Sequence, residues 1–263
     1  METTGFSATF QPVCESDAQC KCCRGPSRLY GVVDFNKNGQ TRRGKPVLGC
    51  AGIPIYYYRC PDCGFIFTTA FDRFSPADFS RWIYNQEYVL VDPDYVSSRP
   101  QAGADFLDGL LSPDRPRRLL DYGSGTGAMA EMLRQRGFPQ VECYDPYVGG
   151  HSERPSLRYD CLVSIEVVEH SVNPAFTFSD MAGLLDDPGL IIFSTLLQPN
   201  DIEQIGLNWW YAAPRNGHVS LHTRKSLSVL LSRLGLQFLS RDDNVHVAFR
   251  NLPSFARRFC PTA

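Results

Sequence analysis

The chain has 263 residues, a formal net charge of −2 and a hydrophobic fraction of 43%. That is enough sequence for one large α/β domain with a small appendage, and enough apolar surface to exclude a disordered chain. Lys+Arg (26) and Asp+Glu (28) nearly balance, which argues against a dedicated nucleic-acid binder, because phosphate neutralisation dominates affinity in that class. No apolar run approaches the ~20 residues that span a bilayer. The start "METTGFSATFQPVC" lacks the basic and apolar regions of a secretory signal. The expectation is a cytoplasmic protein without a membrane span.

Cysteine usage divides the chain. Seven of its ten cysteines (Cys14, Cys20, Cys22, Cys23, Cys50, Cys60, Cys63) precede residue 64. Without a secretory signal, such clustering points to a metal site before a disulfide framework. "CKCC" supplies Cys20 and Cys23, "CPDCG" supplies Cys60 and Cys63, and each C-x2-C pair can make a knuckle that aims two thiolates at one ion. Four sulfurs close a tetrahedral Zn2+ site with no position left for chemistry. Cys22 in a shifted register and iron–sulfur ligation are the alternatives. Between the pairs, "LYGVVDF" and "IPIYYYRC" read as strands and "NKNGQTRRGK" as a hairpin tip. The expected segment is a zinc ribbon over residues 1–72, a structural clip that takes folding energy from its ion.

Residues 73–112 read as a helical linker or lid. Ser75-Pro76-Ala77-Asp78 is a helix start, after which Phe79, Trp82 and Ile83 share a face. Tyr84, Tyr88 and Tyr95 either line a cleft or dock the linker on its neighbour. "QAGADFLDGLL" predicts one more amphipathic helix.

From residue 113 to 263 strands and helices alternate. "RRLLDYG", "VECYDP", "YDCLVSIEVVEH" and "LIIFSTLL" predict buried strands, "TGAMAEMLRQRG", "AFTFSDMAGLLDDPG" and "TRKSLSVLLSRLG" helices, and "LQFLSRD" with "NVHVAFRN" a terminal strand pair. The fold class is α/β, a doubly wound, mostly parallel Rossmann-like sheet with the ligand across the carboxyl ends of its strands. The glycine turn is D-x-G-x-G-x-G (Asp121, Gly123, Gly125, Gly127), where a dinucleotide fingerprint would be G-x-G-x-x-G. At ~4 Å from a pyrophosphate oxygen the Asp121 carboxylate would cost roughly 4 kcal/mol at an effective dielectric of about 20. It suits S-adenosylmethionine, which carries an ammonium and a sulfonium and no phosphate. Asp145, ending the next strand, can accept both ribose hydroxyls.

"LLDYGSGTG", "YDP" and "YDCLVSIEVVEH" together resemble a class I S-adenosylmethionine-dependent methyltransferase of the ubiquinone/menaquinone-biosynthesis-like superfamily, over roughly residues 100 to 250. The resemblance implies that Asp121, Gly123, Gly125 and Gly127 form the loop at the methionine side and Asp145 the ribose clamp. It also sets Ser164, Ile165 and Glu166 beside the cofactor. Only "PYVGGHSERPSLR" separates Asp145 from the next strand, too little for a helix–strand–helix crossover, so the sheet should be shortened between its second and fourth strands. Pro146 and Tyr147 are then left to pack on the adenine.

Methyl transfer to a hydroxyl needs proximity and a general base. The segment "QPNDIEQIGLNWWYAAPRNGHVSLHT" is longer than a plain connection and carries His218 and His222. Part of it resembles the "H-[VI]-x-x-[FYH]-[ST]" stretch of bacterial methyltransferases with the same cysteine ribbon, several of which modify sugars. His218 is the first choice for catalysis, His222 the second, and the Glu169/His170 pair the third. Trp209, Trp210 and Tyr211 offer a face for a flat acceptor. The reading is O-methylation of a small molecule, most simply a sugar or glycan intermediate. Two alternatives stand beside it: an rRNA guanine methyltransferase, since those enzymes also carry an N-terminal four-cysteine module, and a non-enzymatic zinc-ribbon adaptor.

Overall fold

In the computed structural model, which describes residues 10–44, 47–95, 98–112 and 114–259, the cysteine-rich segment builds an antiparallel sheet. Residues 1–9, which were read for a leader, and Lys45 at the hairpin tip lie outside the described residues. Strands β1 (Asp17–Gln19), β2 (Pro26–Asp34), β3 (Pro54–Arg59) and β4 (Ile66–Thr68) pair in that order. The β2–β3 pair is the expected hairpin, although 19 residues separate the strands, with a 3-10 turn at Gly39–Arg43 among the described ones. The aromatic and β-branched residues of "PIYYYR" suit a pleated surface buried on both faces, and Ile55, Tyr57 and Tyr58 have no exposure.

Three helices follow. Helix α1 (Pro76–Trp82) starts in a capping box between Ser75 and Asp78, which satisfies donors that the first turn would otherwise orphan. Helix α2 (Tyr88–Val91) is one turn, and α3 (Ser98–Leu111) lies against the sheet of the main domain.

The main domain is the expected α/β sheet. Strands β5 (Leu119–Tyr122), β6 (Val141–Tyr144), β7 (Tyr159–Ser164) and β8 (Leu185–Ser194) are parallel. Helices α4 (Ala128–Gln135) and α5 (Pro174–Leu184) connect them, and no strand lies between Tyr144 and Tyr159 among the described residues. Helix α5 ends at Leu184, before the predicted stretch "DDPG", which belongs to β8. A short helix α6 (Ile202–Ile205) leads to strand β9 (Ser220–Leu221), then to α7 (Arg224–Arg233), β10 (Gln237–Ser240) and β11 (Val245–Phe249). Thr223 caps α7, as its sequence predicts. The sheet order is β10-β11-β8-β7-β5-β6, with β10 and β11 antiparallel. Helices α3 and α4 cover one face through Leu107, Leu111, Met129 and Leu133. Helices α5 and α7 cover the other through Phe178, Met181, Leu227 and Leu231, and that core runs on into Phe65 and Phe67 of the cysteine-rich sheet. Each such side chain contributes roughly 1.5–3 kcal/mol by leaving water.

Strand β9 was not foreseen. It adds to β4 as the fifth strand of the N-terminal sheet, so that sheet is completed by residues more than 150 positions downstream. No helix among the described residues is long and apolar enough to cross a membrane.

Candidate active site

The carboxyl ends of β5 to β8 carry an unusual load of buried polar groups. Asp121, the third residue of β5, is 2% exposed, and its Oδ2 has no hydrogen-bond partner among the described residues. Burial, with the Asp145 charge adding to it, pushes its carboxyl up to about 7. The turn beyond it is tight. Gly123 has φ 79°, and a Cβ there would stand 2.4 Å from Val167 Cγ2; Gly125 has φ 54°, with Tyr95 Oη 3.1 Å from where a Cβ would be. No L side chain is comfortable at either place. Gly127 closes the turn as the residue before α4. Asp145 sits beside it: Gly125 N donates to Oδ2 at 2.9 Å and Tyr147 N to Oδ1 at 2.8 Å. Each carboxylate oxygen keeps room for a second donor. Pro146 and Tyr147 are exposed next to it.

Ser164, Ile165 and Glu166 lie at the tip of β7. Ser164 Oγ is buried without a partner, and Glu166 adopts a left-handed φ of 57°. Such a conformation in a non-glycine residue costs about 1–3 kcal/mol and concentrates at functional sites. Its backbone N–H donates to Ser194 Oγ at 2.8 Å, and burial raises its carboxyl. Glu169 is wholly buried. Tyr211 Oη donates to its Oε1 at 2.7 Å, while Oε2 and the neighbouring Thr195 Oγ1 approach without closing a well-formed hydrogen bond. Burial, then the charge of Glu166, lifts Glu169 to about 8.

His170 and His218 complete this group. A ligating atom of each, and one of Glu169, all lie within 4.8 Å of one another. His218 Nδ1 is 2.9 Å from the Tyr211 carbonyl oxygen. A carbonyl can only accept, so Nδ1 carries the proton and Nε2 keeps a lone pair. Burial pulls His218 down to about 4, and pulls His170 well below the ordinary histidine range. Both rings are therefore neutral at pH 7.

Tyr84, Tyr88 and Tyr95 cover the group from the linker. Tyr84 Oη lies 3.4 Å from His170 Nδ1, and its ring meets those of Tyr88 and Tyr147. Three residues here escaped the sequence reading. Half-buried Ser124 and buried Thr195 stand at strand ends, Ser124 beside Cys143 and Thr195 beside Glu169; their positions directly after motif and strand were the available signal. Arg99, paired bidentately with Asp92 at 2.6 and 2.9 Å and acting electrostatically on Glu166, left no signal in a linker of irregular period.

The structure does not bring His222 into the cleft. Its ring packs 4.8 Å from that of Phe65, with Nδ1 against Ser226 Oγ, and burial depresses it to about 3. The turn after β9 carries the chain under the second cysteine knuckle, where Thr223 Oγ1 donates to the Cys63 carbonyl. His222 is a core histidine. Trp209 and Tyr211 are buried, and the Trp210 ring is covered by the Arg42 guanidinium at 4.0 Å.

The sulfurs of Cys20, Cys23, Cys60 and Cys63 lie within 4.8 Å of one another, with contacts of 3.6 Å (Cys20–Cys63) and 3.4 Å (Cys23–Cys60). Zinc bound at ~2.3 Å by four thiolates separates its sulfurs by roughly 3.8 Å, so the donor set fits the ion in kind and in size. Cys22 is buried outside the cluster, and Cys14 and Cys50 are exposed.

A family model described as a methyltransferase domain matches residues 95–241, more than half of the chain. No curated protein matches the sequence. Among solved structures, an O-methyltransferase family protein from Burkholderia thailandensis aligns at 14% identity and a TM-score of 0.47, over 65% of this chain and 64% of that one. Magnesium protoporphyrin IX methyltransferase from Synechocystis PCC 6803 aligns at 18% identity and 0.45, over 68% and 97%. Human N-acetylserotonin methyltransferase aligns at 16% and 0.47, over 70% and 58%. The chain thus spans less than two thirds of the first and third of these. Likenesses at this level carry nothing about the acceptor.

Proposed function

The chain belongs to the methyltransferase-domain family, and we propose that it is an S-adenosylmethionine-dependent methyltransferase that methylates a hydroxyl of a small molecule, most simply a sugar or glycan intermediate. The observation that supports a cofactor at the β5–β8 edge is a pair of buried polar atoms without partners, Asp121 Oδ2 and Ser164 Oγ. Buried polar groups are normally satisfied, and an orphaned one costs about 1–3 kcal/mol. Asp121 Oδ2 and Ser164 Oγ, toward the carboxyl ends of the adjacent strands β5 and β7, are best explained by a ligand that supplies the missing bonds.

S-adenosylmethionine brings the methyl group on a sulfonium centre. Asp121 would hold its ammonium and lose a proton in doing so, Asp145 would hold its ribose through the free acceptor capacity of both oxygens, and the Gly123–Gly127 backbone would border its methionine. Tyr84, Tyr95 and the Trp209–Tyr211 segment exclude water and orient the acceptor. His218 Nε2 takes the hydroxyl proton as the acceptor oxygen attacks, and Nδ1–H, held by the Tyr211 carbonyl, fixes that tautomer. In the cysteine-rich sheet Cys20, Cys23, Cys60 and Cys63 would hold one Zn2+ as a closed structural site.

Tritiated-methyl transfer tests the reading. Label should pass to nucleotide sugars or glycans and not to ribosomal RNA. Label in RNA alone would replace the acceptor class, and tight NADH binding with no response to S-adenosylhomocysteine would remove the cofactor.

A further inference from the structure

The segment that carries His218 is held by the cysteine-rich sheet as well as by the sheet whose edge it serves. Tyr57 Oη, fully buried on β3, donates to the His218 carbonyl at 2.7 Å. Thr68 N donates to the Val219 carbonyl at 3.1 Å, and β9 pairs Ser220 and Leu221 with Phe67 and Ile66. Thr223 Oγ1 donates to the Cys63 carbonyl at 2.6 Å, and Gln198 Nε2 bridges the Gly64 and Leu221 carbonyls at 2.9 and 2.8 Å. The other side of the same segment reaches the cleft. Val219 N donates to the Glu169 carbonyl at 2.9 Å, and Ser220 Oγ to the Ser171 carbonyl at 2.7 Å.

His218 itself stands on no helix or strand; a three-residue 3-10 turn (Pro214–Asn216) precedes it and the two-residue β9 follows it. A base on such a stretch is placed only as well as its supports, and a displacement of about 1 Å costs on the order of 10²-fold in rate. We propose that the cysteine-rich sheet is a positioning device for methyl transfer. Tyr57 and the Cys60–Cys63 knuckle set the place of the His218 imidazole, so that metal occupancy of the cysteine cluster governs turnover. The proposal rests on His218 as proton acceptor. It gives the N-terminal sheet a role that needs no contact with the acceptor molecule.

Tyr57→Phe removes one hydroxyl and leaves the ring packing. In the full-length protein it should lower kcat about three- to tenfold, the worth of one buried hydrogen bond, with S-adenosylhomocysteine affinity, acceptor KM and zinc content unchanged. Amide hydrogen exchange over 218–223 should quicken. Thr223→Val should act in the same direction, and Thr223→Ser, which keeps the hydroxyl, should behave as wild type. Removing the metal with a chelator should lower kcat by about tenfold or more while S-adenosylhomocysteine still binds. If Tyr57→Phe and the metal-free protein turn over at the wild-type rate, the proposal is wrong. It is equally wrong if kcat and cofactor affinity fall together. His218→Ala separates the layers. Near-native turnover in that variant overturns the premise and this proposal with it. A crippled His218→Ala beside an unaffected Tyr57→Phe overturns the positioning role alone.

Discussion

The two sheets differ in what their buried polar groups do. In the five-stranded sheet the reactive groups face one another: four thiols converge to within 4.8 Å, and Tyr57, Thr68 and Thr223 are all engaged in hydrogen bonds. Most of its polar groups complete a structure, although Ser27 Oγ on β2, Arg59 Nε on β3 and the nearby His222 Nε2 are buried without a partner. At the carboxyl edge of the six-stranded sheet the leftover atoms are more numerous. Asp121, Ser164, Thr195 and Glu169 are buried with oxygen atoms left over, and Glu166 is held in a left-handed conformation. A fold that leaves several donors and acceptors unsatisfied in one place is built around something else. His218 and His222, four residues apart, show the contrast within a single segment, one turned to each region.

The comparison can be broken most severely at the cysteines. Cys60→Ser should abolish the expected zinc, about one ion per chain, and with it a binding free energy of the ~10–16 kcal/mol seen for structural zinc sites. Metal analysis should fall to background. Melting should split, the N-terminal sheet unfolding well before the parallel one. Full zinc occupancy in this variant would show that the ligand set is misassigned.

Next come the two histidines. His218→Ala should reduce kcat by ~10²–10⁴-fold with little change in cofactor affinity, the signature of a lost general base. His222→Ala should chiefly lower the melting temperature through a cavity beside Phe65, with a kinetic loss no larger than that of Thr223→Val. Equal kinetic losses from both would erase the distinction between the regions.

At the strand ends, Asp145→Ala should weaken S-adenosylhomocysteine by about 1.5–3 kcal/mol in calorimetry, as expected for hydrogen bonds to a charged group. Asp121 adds a pH test. With its carboxyl near 7 in the free protein and ionised against a ligand ammonium, binding must release a proton below that pH. Affinity should fall by about tenfold per pH unit below 7, and the dependence should vanish in Asp121→Asn. A flat profile in the wild-type protein would free Asp121 from the ammonium.

The smallest effect concerns the acid limb of kcat. An ordinary histidine would begin to protonate near 6.5. Burial holds His218 near 4, so with cofactor saturating, kcat should not fall for His218's sake until the pH drops through about 4. An acid limb centred at 6–7 that disappears in His218→Ala would contradict the burial of this ring.

Much of this was legible in the chain. The Asp121–Gly127 turn, the strand-end Asp145 and the alternation of buried runs with amphipathic helices are local patterns, so the parallel sheet and its shortened middle followed from them. The C-x2-C spacing likewise carried the four cysteines that converge, because a knuckle is a local structure. His222 was misjudged for the complementary reason. Its sequence neighbourhood is that of His218, and only the ladder between β4 and β9 turns it beneath the cysteine knuckle. Arg99 and the pairing of β9 were invisible for the same cause.

What the sequence by itself determined is therefore everything set by spacing within one element or one turn: helix caps at Ser75 and Thr223, the glycine turn, the thiol pairs and the doubly wound order of elements. What only the tertiary structure decided is which distant groups share a dry space. Burial, and not residue identity, lifts Asp121 to about 7 and Glu169 to about 8 and lowers His218 to about 4. Desolvation depends on every element packed around a group, and for His218 those elements span from Tyr57 to Tyr211, a range no local pattern encodes.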